Sequence, residues 1–135
     1  MDSSGLRQIV RVIDGTRDCP ELPLIMGSGT CKAVLWPGNG AGCRTFHLFQ
    51  LAAGDRTVDL QHQSDSVYYV IGGIGTVTDL RLRDVRDLSE GVMLHIDKGD
   101  RYRFAASDTE ELKLIGGPCP ADPSLYTYIA SARTD

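Results

Sequence analysis

Apolar positions along this chain recur in short runs of four to eight residues, many of them alternating with polar ones, and no apolar stripe of period 3.6 persists for three turns. The stretch "TCKAVLWPGNGAGCRTFHLFQLAAGD", starting at Thr30, reads as strand, glycine-rich turn, strand and second turn, with Trp36 and Pro37 closing the first strand. After it come "TVDLQHQ", "SVYYVIGG", "GTVTDLRL", "VMLHID", "RYRFAA", "ELKLIGG" and "LYTYIA", rich in β-branched and aromatic side chains. Many short strands at close, even spacing predict an all-β protein, a sandwich or a barrel-like jelly roll. "GGIG" at 72–75 and "KGD" at 98–100 are expected to be sharp connections, where glycine permits positive φ or close backbone approach.

The alternation also assigns faces. Val58, Leu60 and His62 share one face, as do Ser66, Tyr68 and Val70, and again Tyr102 and Phe104. On the opposite face Val67, Tyr69 and Ile71 form an apolar row where a monomeric antiparallel sheet would show polar residues, which predicts a homodimer. Arg101 and Arg103 fall on the outer face. In the tail "GGPCPADPSLYTYIA" the three closely spaced prolines are expected to take the chain out of the barrel at Gly116 and across one end, over the mouth of a pocket.

At 135 residues the chain has the length of a single domain, 1–135, without internal repeat or linker; residues 1 to 8 and the last few are expected to be loose. Apolar residues make up 41%, charged residues 24%, and the net charge is −4, which argues against a nucleic-acid partner. The N-terminal sequence has no basic start leading into a long apolar run, so neither a signal peptide nor a membrane anchor is expected and a cytoplasmic location follows. Cys19, Cys31, Cys43 and Cys119 form no CxxC pair and are expected to be free thiols.

Two spaced motifs give the chain a resemblance. The first motif of the cupins runs glycine, five residues, His-x-His, three or four residues, glutamate, six residues, glycine. Here Gly54 opens it, Leu60 and His62 take the histidine places, Ser66 the glutamate place, and Gly73 closes it. In the second motif Gly91 and Gly99 hold their places, while Asp97, Tyr102 and Ala106 stand where proline, histidine and asparagine are usual. The chain therefore resembles a small single-domain cupin over roughly residues 43–117, with motifs at 54–73 and 91–106 and a hairpin insert at 74–90. It also resembles ectoine synthase-like cupins in "FH" followed by "AAG" and in "GDRY". The resemblance implies a cupin-like jelly-roll β-barrel. Its interior would hold His62, Tyr102 and Tyr68 as catalytic candidates and Leu60, Ser66, Phe104, His47, Phe49 and Trp36 as substrate-binding candidates.

A transition metal needs three or four converging donors. Leu60 cannot donate and a serine hydroxyl is a poor ligand, so no cofactor and no metal ligand is expected; a metal would have to recruit His47, Tyr102 or Asp65. What remains is proton chemistry on a small organic molecule: His62 as general acid or base, and Tyr102 or Tyr68 as proton donor or partner of a developing enolate. This predicts a metal-independent isomerase, cyclase or dehydrating lyase of a biosynthetic pathway. The alternatives are a metal-dependent cyclase or oxygenase with a reduced ligand set, and a barrel that binds a small molecule without reacting it. An inward histidine also reads as a hydrogen-bonded core residue.

Overall fold

The computed structural model describes residues 10–127 and 129; residues 1 to 8 and the last few lie outside the described residues. Nine strands build the molecule: β1 (Ile25–Met26), β2 (Thr30–Leu35), β3 (Phe46–Leu51), β4 (Arg56–Thr57), β5 (Asp65–Asp79), β6 (Asp84–Ser89), β7 (Met93–Ile96), β8 (Tyr102–Ala106) and β9 (Leu112–Cys119). Two short 3-10 turns, Pro37–Asn39 and Pro123–Tyr126, complete the described elements. All strand pairs are antiparallel, and they form a nearly closed jelly-roll barrel.

The barrel has two faces that share one strand. The first half of β5 lies between β9 and β7, in the order β2-β3-β9-β5-β7. Its second half lies between β8 and β6, in the order β1-β4-β8-β5-β6. The "GGIG" segment is thus a bend inside one 15-residue strand and not a connection between two. A register shift between Val70 and Gly72 supplies the extra residue that turns the strand. At Gly73 φ is 85°, and a Cβ there would sit 2.0 Å from the Glu111 carbonyl oxygen, so only glycine fits. The 74–90 insert is the β5–β6 hairpin.

Three other expectations are corrected. "TVDLQHQ" contributes only its first residue, Thr57, to a strand, because its backbone changes partners: the Val58 N–H donates to Leu24, whereas Leu60 exchanges both bonds with Tyr102. The chain also does not leave the barrel at Gly116. Strand β9 continues through Pro118 to Cys119, paired with β5 as Val67↔Gly117, Ser66↔Pro118 and Asp65↔Cys119. The β3 ladder ends at His47↔Gly116, so Pro118 is at an edge on that side and its missing N–H leaves no gap there; its carbonyl accepts from Thr45 Oγ1 at 2.6 Å. The tail turns across the barrel end only after Pro120, and its "LYTYIA" segment begins in a 3-10 turn, not a strand.

The core is aromatic at its centre. Phe49 meets Tyr68 and Phe104 edge-to-face at 5.8 and 5.7 Å between centroids, and Tyr68 meets Phe104 at 4.9 Å. Leu51, Val70, Leu112 and Leu114 close around them, each worth about 1.5–3 kcal/mol of burial. Outside, Val67, Tyr69 and Ile71 remain about two-fifths exposed (41, 40 and 41%), with Met93 beside them on the paired strand. No helix among the described residues is long and apolar enough to cross a membrane.

Candidate active site

His62 lies on the irregular segment between β4 and β5. The Leu60–Tyr102 backbone pair fixes that segment to β8, and the His62 carbonyl accepts from Gly99 at 2.8 Å. This aims the imidazole inward, where it is buried. His62 Nε2 lies 3.0 Å from the Tyr102 hydroxyl, and that hydroxyl lies 2.6 Å from the hydroxyl of Tyr68. Tyr68 belongs to one face of the barrel and Tyr102 to the other, so the contact bridges the interior.

The other imidazole nitrogen meets a residue that the motifs do not contain. His62 Nδ1 is 2.7 Å from Asp122 Oδ2. Asp122 caps the second 3-10 turn: its Oδ1 accepts from the Ser124 N–H at 3.0 Å and from Ser124 Oγ at 2.7 Å, which leaves Oδ2 for the imidazole. Burial pushes the Asp122 carboxyl up, but the hydrogen bonds from Ser124 and His62 outweigh it and hold the pKa below the ordinary value. An ionised Asp122 accepts only, so Nδ1 carries a proton; with the imidazole neutral, Nε2 is then the acceptor and Tyr102 donates to it. The resulting line runs Tyr68 to Tyr102 to His62 to Asp122.

Both phenols stay protonated near neutrality. Burial raises Tyr102 to about 12, against the hydrogen bond from Tyr68, and raises Tyr68 well above its usual value. Ser66, at the glutamate place, is buried beside these phenols, and its Oγ is the one buried side-chain oxygen or nitrogen without a partner among the described residues. His47 forms a second pair at the same end of the barrel: its Nε2 is 2.6 Å from the Tyr126 hydroxyl, and Tyr126 lies 5.0 Å from Trp36 between ring centroids. Burial lowers the His47 pKa to about 4, helped by His62 and opposed by Asp122. Asp122 and Tyr126 thus bring the tail over this end of the barrel.

Leu60, Phe49 and Phe104 are packed into the core, and Trp36 is half-buried against Tyr126. The opening is elsewhere. A cleft of about 360 Å³ lies along β6 and β7, with Leu88, Leu94, Ile96 and Tyr102 among its apolar walls and Asp87, Asp100 and Arg101 among its polar ones. Tyr102 is the member of the hydrogen-bonded line that this cleft reaches. Nothing in the alternation of the sequence marks the cleft, because its walls are shared between the insert hairpin, β7 and the start of β8.

The donors do not fit a transition metal at the motif positions. Leu60 has no donor atom, both nitrogens of His62 are engaged, and His47 Nε2 is directed at Tyr126. Asp65 faces outward, capping the Lys98 N–H at 2.9 Å. Among the described residues no three His, Cys, Asp or Glu side chains gather as a ligand group.

No protein-family model and no curated protein matches the chain by sequence. Solved structures do match it in shape, and the fold they share is that of the cupins. A cupin-like protein from Thermotoga maritima superposes with a TM-score of 0.64 at 21% identity, over 82% of this chain and 79% of that one. The polyketide cyclase RemF from Streptomyces resistomycificus gives 0.68 at 16% identity, over 82% and 80%. A predicted oxalate decarboxylase from Thermotoga maritima gives 0.64 at 15% identity, over 78% and 96%.

Proposed function

We propose that the protein is a cytoplasmic, metal-independent enzyme that moves a proton next to a carbonyl in a small organic substrate, as an isomerase, cyclase or dehydrating lyase. The observation that carries the reading is the line Asp122–His62–Tyr102–Tyr68, which a cleft reaches at Tyr102. A carbonyl compound entering from the cleft reaches this line at Tyr102. When the Tyr102 hydroxyl turns to donate to the carbonyl oxygen, the Nε2 lone pair of His62 is released and takes a proton from the adjacent carbon. The Asp122 carboxylate stabilises the imidazolium, and the Tyr102 hydroxyl stabilises the enolate. Return of the proton to another carbon gives isomerisation; loss of a β-hydroxyl, which leaves as water with that proton, gives dehydration. Attack of the enolate on a second carbonyl of the same molecule, with the proton passing to the new alkoxide, closes a ring. The open hydrogen-bonding capacity of Ser66 adds a polar contact beside the phenols. The fold also serves a polyketide cyclase, so it admits the cyclase form of this chemistry.

The test is solvent deuterium incorporation into a panel of cyclic ketones and β-hydroxyketones, followed by NMR with the wild-type protein and His62→Ala. The reading expects exchange that falls on the order of 10²–10⁴-fold in the variant. Exchange equal in both proteins would sink it. A second reading, a barrel that holds a small molecule without reacting it, is favoured by the completeness of the buried line, in which each member already has a partner. It expects ketone binding without exchange. On either reading we place a second copy of the chain on the outer row Val67, Tyr69 and Ile71.

A further inference from the structure

Cys43 and Cys119 stand 76 positions apart in sequence, and their sulfurs are 3.1 Å apart as free thiols. Neighbouring contacts hold them there. The Thr45 hydroxyl bonds the Pro118 carbonyl just beyond the β3–β9 ladder, and Cys119 is paired with Asp65 of β5. One partner therefore ends a sheet strand, while the other is exposed in a glycine-containing link; a Cβ on Gly42 would meet nothing within 4 Å. A disulfide needs its sulfurs about 1 Å closer than they are here, and the link is the side with room to supply that movement. The other two thiols differ: Cys31 is fully buried, and Cys19 points to the Asp14 carbonyl.

The pair sits at the root of the tail that covers His62. Three residues after Cys119 comes Asp122, the partner of His62, and then Tyr126, the partner of His47. On the other side, the link carrying Cys43 starts at Trp36, which lies against Tyr126. A bond between the two sulfurs would join both flanks of this barrel end with the tail in its closed position.

We propose that Cys43 and Cys119 are a reversible disulfide site that latches the 120–127 strap over the His62 line. The oxidant is a low-molecular-weight disulfide such as glutathione disulfide. The exposed Cys43, as thiolate, attacks one sulfur of that disulfide; its S–S bond breaks, and the released thiolate takes up the proton that Cys43 gave up. Cys119, as thiolate, then attacks the Cys43 sulfur, forms the internal bond and expels the second small thiol, which takes the Cys119 proton. Two protein thiols are oxidised by two electrons and one small disulfide is reduced to two thiols. Any effect on turnover rests on the catalytic reading above; the latch itself does not.

The test treats the full chain with glutathione disulfide and reads intact mass, thiol alkylation and hydrogen exchange. The expected product is about 2 Da lighter, with two thiols, Cys19 and Cys31, alkylatable after denaturation and the bond mapped by digestion to Cys43 and Cys119. Amide exchange in 120–127 should slow about tenfold on oxidation in the wild type and stay unchanged in Cys43→Ser and in Cys119→Ser. Stable glutathione adducts on either cysteine, or a bond between another pair, would overturn the site. An internal bond that leaves exchange in the strap unaltered would overturn the latch. None of these readings uses the ketone assay, so failure of the catalytic proposal remains distinguishable from failure of this one.

Discussion

Asp122 Oδ2 lies 2.7 Å from His62 Nδ1 although 60 positions separate the two residues, and this contact sets which nitrogen of His62 faces the barrel interior as an acceptor. Replacing the carboxylate by an amide keeps the turn cap, since asparagine caps as well as aspartate, but removes the charge that holds the proton on Nδ1. Asp122→Asn is expected to lower kcat for ketone exchange on the order of 10²-fold with KM nearly unchanged, because Asp122 does not line the cleft. Steady-state kinetics check this; a rise in KM at constant kcat would mean that the contact serves binding alone.

The line of hydroxyls predicts an order of stabilities. Tyr102 is in the middle, so Tyr102→Phe leaves two buried groups, the Tyr68 hydroxyl and His62 Nε2, without their partner. Tyr68→Phe removes only the outer link. With about 1–3 kcal/mol for each orphaned group, Tyr102→Phe should cost more than Tyr68→Phe by at least about 1 kcal/mol in urea denaturation. Equal losses would mean that the His62–Tyr102 bond contributes nothing.

How much of this was legible follows from what each part depends on. The faces of β5 and β8 were readable, since period-two alternation places Ser66, Tyr68, Tyr102 and Phe104 inside whatever the neighbours do. The inward position of His62 was readable the same way, and the motif frame pointed to the barrel. Asp122 was not found. It stands in a proline-rich tail with no periodicity, and only the course of β9 through Pro118 brings that tail back to His62. Sequence gave one usable signal, the Asp-Pro-Ser cap at 122–124, which marks a turn but not what the second carboxylate oxygen meets. The bend in β5 was missed for a related reason, as a bulge and a chain reversal both ask for glycine.

His47 gives a pH dependence that needs no substrate. Its pKa is about 4 in the folded protein against 6.5 for a free side chain, so between these values the unfolded chain binds the proton first. Its contribution is complete above about pH 6.5 and is lost as the pH falls towards 4, up to about 3 kcal/mol. His47→Gln retains a hydrogen-bonding group for Tyr126 and has nothing to titrate. Its stability curve from pH 7 to 4 should be flatter than that of the wild type; parallel curves would show that His47 is not the group responsible.

The outer row of β5 leads to the last expectation. Val67, Tyr69 and Ile71 alternate with the inward Ser66, Tyr68 and Val70, so a change at Tyr69 reaches solvent and not the core. A sheet face of this kind, with Met93 extending it, buries enough apolar area for a second copy only if the copies meet along the strands. Glutamate at Tyr69 would place a charge from each copy in that contact, where desolvation disfavours it. Tyr69→Glu is therefore expected to sediment as a monomer with its unfolding midpoint, at a concentration where the wild type is dimeric, lowered by loss of association. A dimer that survives the substitution would assign the interface to another face, and a wild type that is monomeric at all concentrations would leave the row without a second copy.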